Sequence, residues 1–167
     1  MFGDAALRAK KAGFDGVEIH AGHGYLVQQF LSQFTNRRFD EFGGSLENRA
    51  RFACEICKDV KRKCGDDYPV IIKLSGEEKV PGGMTISDTK IFAKYFEEAG
   101  YDAIEVTICT YASLDWMSAP EDEPMGFNAN NAKAIRESVH IPVIAINRIN
   151  TPEIAEDILE TGKADFV

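Results

Sequence analysis

Residues 12–20 read AGFDGVEIH, and the same pattern returns as AGYDAIEVT at 99–107 and as TGKADFV at 161–167. Each copy leads from a helix end through a glycine and one or two residues to an aspartate or alanine, then into an apolar strand. Gly13, Gly100 and Gly162 fall where a helix stops at a left-handed C′ residue, a backbone that glycine adopts without steric cost. Two further apolar runs rich in β-branched residues, Val70-Ile71-Ile72 and Pro142-Val143-Ile144-Ala145-Ile146, read as buried parallel strands. Strands are therefore expected near 16–20, 69–74, 102–107, 142–147 and 164–167, with a helical stretch after each of the first four. Start signals support those helices. Ser45 precedes 46–64, Ser87 precedes 88–99, and Thr151-Pro152-Glu153 supplies an N-cap, an N1 proline and a first-turn acid.

Uninterrupted alternation of strand and helix, with nearly continuous apolar strands, means an α/β fold with a parallel sheet wrapped by helices. Two architectures compete, an open doubly wound sheet and a (β/α)8 barrel of the TIM type. The Rossmann version of the open sheet carries G-x-G-x-x-G after a strand, and no such run occurs here. Five strands cannot close a barrel of eight. The expectation is a single domain over residues 1–167 that is a fragment of a larger barrel, covering about strands 4 to 8.

Composition narrows the function classes. With 167 residues, 44% of them hydrophobic, the chain can bury one sizeable core. A net charge of −8, with no basic block, argues against nucleic-acid or acidic-membrane partners. No apolar run reaches transmembrane length, and the opening MFGDAALRAKKAG reads as an amphipathic helix and not as a signal peptide. Four cysteines, Cys54, Cys57, Cys64 and Cys109, are too few and too unpatterned for a secreted disulfide scaffold; reduced thiols in a cytoplasm are the simpler account.

In a barrel of this kind the C-terminal strand ends and the loops after them build the site. The first strand end offers His20, His23 and Tyr25, with Gly22 and Gly24 expected to turn the backbone and bring the three side chains together. Two polarising imidazoles and one weak acid form a site for proton transfer or carbonyl activation. The second strand contributes Lys73 and Ser75, the third residues 107–111, and the fourth Asn147 and Arg148. A lysine inside a strand of Val, Ile and Leu is costly unless it meets an anion, and two readings stand: a ligand contact, or an ion pair with Glu18 or Glu105. Arg148 likewise either receives an anionic ligand group or anchors a helix. Glu18 and Glu105 hold equivalent places in the repeat, which marks them as structural barrel residues, and His140 precedes a strand on the stability face. Cys54-x-x-Cys57 lies in a helical segment with no second pair to complete four ligands, so it reads as core packing and no metal site is expected. Arg38, Asp40, Asn48, Arg49 and Arg51 are expected to form a salt-bridge network that pins the loop below the site.

The stretches DGVEIHAGHGYL (15–26) and NRRFDEFGGSLENRARF (36–52) resemble the Old Yellow Enzyme family of FMN-dependent NAD(P)H oxidoreductases. The second is similar along its whole length to that family's N-x-R-x-D-x-(aromatic)-G-G-S-x-x-N-R-x-R-F signature, and PVIAINRINTPEIAEDILETGKADFV (142–167) resembles its closing strands. Asn147-Arg148-Ile149-Asn150 is most similar to the 2,4-dienoyl-CoA reductase and enoate reductase branch. The resemblance implies a barrel that holds FMN at its C-terminal mouth, takes electrons from NADH or NADPH and reduces an activated C=C bond in a small molecule (an enone, enoate or enoyl thioester). It implies that His20 and His23 bind the substrate carbonyl oxygen and that Tyr25 is catalytic as proton donor. Lys73 would contact the flavin pyrimidine, and Asn147 and Arg148 the FMN phosphate side. Many relatives have arginine where Lys73 stands, and often glycine where Asn147 stands. The FAD domain and 4Fe–4S cysteines of the dienoyl-CoA branch would belong to parts outside this chain. Two other classes compete. One is a non-catalytic half-barrel that folds or self-assembles without FMN; in either case the exposed strand edges are expected to make the chain a homo-oligomer or to associate it with further barrel strands. The other is a metal-dependent hydrolase with Glu18, His20 and His23 as ligands, for which Ser75, Thr107 and Asn147 are poor complements.

Overall fold

Four parallel strands carry the apolar runs: β1 Val17–Ala21, β2 Val70–Ser75, β3 Ala103–Thr107 and β4 Val143–Ala145. They pair in sequence order, β1-β2-β3-β4. The structure, a computed structural model, describes residues 1–119 and 121–167. The helices are α1 Phe2–Lys11, α2 Leu26–Leu31, α3 Leu46–Cys64, α4 Ile86–Ala99, α5 Asp115–Ser118, α6 Ala129–Arg136 and α7 Pro152–Glu160. Sequential parallel pairing, with a helix in each connection, is the local topology of a (β/α)8 barrel and not of a doubly wound sheet with reversed strand order.

The period of two along each strand separates two faces. Ile19, Ala21, Val70, Ile72, Leu74, Ile104, Val106, Val143 and Ala145 are buried in the hydrophobic core. There α3 packs against both α1 and α4. Phe92 and Phe96 of α4 are fully shielded and stack on each other, and Tyr101 meets Phe96 edge-on while its hydroxyl donates to the Ala53 carbonyl. Burying each phenylalanine contributes roughly 1.5–3 kcal/mol. The opposite sheet face carries the polar row. The register aligns His20 with Lys73, Lys73 with Glu105, and Glu105 with Ile144.

The repeat has a physical basis at the opposite end of the strands. Asp102 accepts from the Val70 amide at 2.7 Å and from Lys61 at 2.7 Å; Asp165 accepts from the Val143 amide at 2.9 Å and from Arg136 at 2.9 Å. Each aspartate thus satisfies the first donor of the preceding strand, and the glycine before it stops the helix, with Gly13, Gly100 and Gly162 all at positive φ.

Several boundaries differ from the sequence reading. Helix α4 begins at Ile86, because Thr85 and not Ser87 is its N-cap, closing a capping box with Asp88. Ser45 does cap α3, accepting from the Asn48 amide. The fourth strand is regular only over three residues, because Asn147 and Arg148 turn left-handed immediately beyond it. The expected strand at 164–167 is a single bridge between Ile144 and Phe166. The 36–52 segment is held less by ion pairs than expected. Arg38 pairs with Asp40, but Arg51 donates to the Glu41 carbonyl and Asn48 to the Gly43 carbonyl, while the buried Arg49 donates to the Leu31 carbonyl.

Candidate active site

At the C-terminal end of β1 the chain turns tightly through Gly22, His23 and Gly24 into α2. The left-handed residues are His23 (φ 56°) and Gly24 (φ 78°); Gly22 serves differently. A Cβ on Gly22 would stand 2.8 Å from the Thr107 methyl, so this glycine permits close approach to β3. The turn brings three rings together as the spacing predicts. The His20 and His23 centroids lie 5.1 Å apart, and those of His20 and Tyr25 5.3 Å apart. Tyr25 is half-exposed, whereas Nδ1 of His20 is buried and has no hydrogen-bond partner. His23 Nε2 lies 2.8 Å from the Thr107 hydroxyl, which orients the ring.

Burial and nearby positive charge favour the neutral form of both imidazoles. Burial first, then the Lys73 charge, pushes His20 below its ordinary range, against an opposing pull from Glu105. His23 is pushed the same way by burial, by His20 and by Lys73. A neutral imidazole keeps one N–H to give and one lone pair to receive.

One row deeper, Lys73 stands between two carboxylates, 2.6 Å from Glu105 and 3.5 Å from Glu18. Burial pulls its ammonium down, but the contacts with Glu105 and Glu18 outweigh that, so it is held above its usual range. Glu18 is pushed up by burial and by the Glu105 charge, against the pull of Lys73. The ion-pair reading of Lys73 is thus realised, with its ammonium lying against both carboxylates. Arg148 donates to the backbone carbonyls of Glu123 at 2.5 Å and Glu121 at 2.9 Å, anchoring the preceding loop. Asn147, left-handed at φ 84°, bonds Asn128 and the Met117 carbonyl. Together with Thr151 and Ala155, these two residues line an open cleft at the start of α7.

Cys54 and Cys57 sit on α3 as packing residues, their thiols pushed by burial up to about 11 and about 12. All four cysteines are free, and among the described residues no group of three or more His, Cys, Asp or Glu side chains is arranged to hold a metal ion. His140 is exposed beside Glu97 at the far end of the sheet.

Sequence reasoning missed a buried polar network behind the rings. Glu78 is fully buried; its carboxylate accepts from Gln28 Nε2 (2.8 Å), the Ser32 hydroxyl (2.6 Å) and the Met84 amide (2.7 Å). Gln28, equally buried, accepts from the Gly24 amide at 2.6 Å and donates to the Cys109 carbonyl at 3.1 Å. The loops after β1, β2 and β3 are thereby tied to one another.

A parallel sheet paired in sequence order, with a helix in each connection, is part of a (β/α)8 barrel, and the His–His–Tyr cluster lies at its C-terminal strand end. The profile of the NADH:flavin oxidoreductase / NADH oxidase family matches residues 1–167, and the chain belongs to that family. It is 45% identical over 166 residues to an NADH oxidase of Thermoanaerobacter brockii, an alignment that covers 99% of this chain and 26% of that protein. A cinnamate reductase of Clostridium sporogenes is 40% identical over 181 residues, with 99% of this chain and 27% of that protein covered. A solved 2-naphthoyl-CoA reductase in complex with 2-naphthoyl-CoA superposes with a TM-score of 0.93 at 34% identity, over 99% of this chain and 25% of that one. The chain therefore spans about a quarter of the length of these relatives.

Proposed function

We propose that residues 1–167 form the C-terminal part of one FMN barrel domain, in a protein that uses NADH or NADPH to reduce an activated C=C bond of an enone, enoate or enoyl thioester. The observation that carries this is the His20–His23–Tyr25 cluster at the C-terminal end of β1. The His20 and His23 rings are both partly exposed at this strand end beside the half-exposed Tyr25, where a substrate carbonyl oxygen can meet imidazole N–H groups.

The residues present fit a flavin. Lys73, a partly exposed cation on the polar sheet face, suits the pyrimidine edge, and the left-handed backbone of Asn147 and Arg148 beside the start of α7 suits the phosphate side. The Arg148 guanidinium holds the 121–123 carbonyls, so its part is to shape that cleft. Bound there, FMN supplies a hydride, two electrons and one hydrogen drawn from NAD(P)H. The protein residues do the rest. His20 and His23 hold the carbonyl oxygen and stabilise the negative charge that grows on it as the β-carbon is attacked. Tyr25 then gives its phenolic proton to the α-carbon, so that one hydride and one proton together saturate the double bond.

The same reading covers partners and location. β1 is paired on one side only, so its open edge invites association with a second copy or with further strands of the same barrel. Four free thiols suit a reducing cytoplasm. No helix among the described residues is long and apolar enough to cross a membrane. The test is Tyr25→Phe in the whole protein. Alkene reduction should slow by roughly 10²–10⁴-fold, the usual worth of a positioned acid, while flavin reduction by NAD(P)H stays unchanged. Equal loss of both half-reactions refutes the proton-donor role.

A further inference from the structure

We infer that Glu78 is a positioning residue: through Gln28 it sets the Gly22–Tyr25 turn, and hence the His23 and Tyr25 geometry of the proposed reduction site. The inference rests on the function proposed above, but its chain of contacts is independent of it. Both oxygens of Glu78 act as acceptors, from Gln28, Ser32 and Met84. Its own carbonyl accepts from the Ser113 hydroxyl at 2.6 Å, and its amide donates to the Met84 carbonyl at 3.0 Å, so Glu78 is fixed from both sides. The buried Arg49 lies within its electrostatic reach, which makes a dry carboxylate tolerable.

Polarity then passes outward in one sense only. Because Glu78 offers no donor, Gln28 must present its NH2 to it, and the Cys109 carbonyl on the other strand end demands the same. The amide oxygen of Gln28 is thereby forced toward the Gly24 amide. On the far side of that residue, Gln29 donates to the Gly24 carbonyl at 2.8 Å. Gly24 is thus gripped at both ends between His23 and Tyr25, and a Cβ there would stand 2.5 Å from the Tyr111 backbone. The Tyr25 amide donates to the Gly22 carbonyl across the turn at 3.2 Å, but left-handed backbone is disfavoured for His23. The Glu78–Gln28 relay adds the hold on Gly24.

The test exploits the sense of the relay. In Glu78→Gln the new NH2 faces Gln28, whose amide must flip, leaving donor against donor at Gly24. Adding Gln28→Glu restores an acceptor to both partners; it sets a carboxylate oxygen against the Cys109 carbonyl, which loses the residue 28 donor but keeps the Ser75 hydroxyl at 2.7 Å. Two readouts are taken in the whole FMN-loaded protein: hydrogen exchange of the Gly24 amide and affinity for para-chlorophenol, an oxygen probe of the histidine pair. Glu78→Gln should lower Gly24 protection and phenol affinity by about tenfold each, with core amides of β2 and β3 unchanged, and the double variant should recover both. If Glu78→Gln fails to fold, Gln28→Met replaces it, removing the Gly24 acceptor together with the donor to Glu78 and to the Cys109 carbonyl, and giving the same local loss at Gly24. Unchanged Gly24 protection in the single variant, or no recovery in the double, overturns the relay. If the unsubstituted protein does not bind the phenol while Gly24 protection follows the cycle, the relay stands and the functional reading falls.

Discussion

Replacing Lys73 by methionine isolates the charge row on the barrel face. The ammonium contacts Glu105 at 2.6 Å and Glu18 at 3.5 Å, and its removal leaves two carboxylates facing each other. A unit-charge pair at 4 Å and an effective dielectric of 20 is worth about 4 kcal/mol before desolvation. Breaking a fully buried pair costs about 3–5 kcal/mol. The three side chains are 17–34% exposed, so water screens part of this and the expected loss is about 2 kcal/mol at pH 7.5. The loss must also depend on pH. Glu18 is already held above its ordinary value of 4.5, by burial and by the Glu105 charge. In the window above 4.5 the folded state therefore binds more protons than the unfolded one, and stability falls as pH rises through it. Without Lys73 the Glu18 carboxyl moves up further, so lowering the pH protonates it and relieves the repulsion. The imidazoles act in the same sense, because losing the cation also lets His20 and His23 rise. Urea denaturation followed by circular dichroism should give a penalty near 2 kcal/mol at pH 7.5 that shrinks clearly by pH 5. A penalty under about 0.5 kcal/mol, or one that does not change with pH, would refute the assignment of Lys73 as the neutralising centre of this row.

Other consequences are testable on the same material. His20 and His23 lie below their ordinary value of 6.5, so their contribution to stability is complete above that pH and is lost as pH falls through it; replacing both by asparagine should flatten the stability profile between pH 6.5 and 5. Gly24→Ala meets the Tyr111 backbone at 2.5 Å with φ at +78°, whereas Gly44→Ala at φ +81° meets nothing within 4 Å. Both pay about 1–2 kcal/mol for the left-handed backbone, but only Gly24→Ala should lose about 1–3 kcal/mol more to the clash. The open edge of β1 should make the isolated chain self-associate, a property read by size-exclusion chromatography with light scattering; a stable monomer at micromolar concentration argues against edge pairing.

The fold was legible because its instructions are local. A helix stop, an aspartate and an apolar run sit within nine residues, and each acts over a short range. Gly100 turns left-handed, Asp102 receives the Val70 amide, and Ile104 and Val106 enter the core. The three rings were legible for the same reason, since His20, His23 and Tyr25 lie within one turn of chain. Ser87 misled because Thr85, two residues earlier, has Asp88 at its third position and so closes the better cap. The strand at 164–167 was over-read because its apolar pattern exists while only one bridge forms, to Ile144.

What stayed hidden is whatever depends on loops meeting. In the segment GEEKVPGG at 76–83 no periodicity separates Glu77, which pairs with Lys79 and is partly exposed, from Glu78, which is fully buried. The difference arises only when Gln28 of α2, Ser32 beyond it and the Met84 amide converge from distant parts of the chain. A buried carboxylate is tolerated only if such partners arrive together, because each missing one costs about 1–3 kcal/mol. The site thus has two kinds of residue. Those proposed to touch the substrate are written in a short, recognisable string, whereas those that aim them are chosen by the closed fold. A relative could keep every residue of HAGHGYL and still misplace the rings if position 78 lost its acceptor.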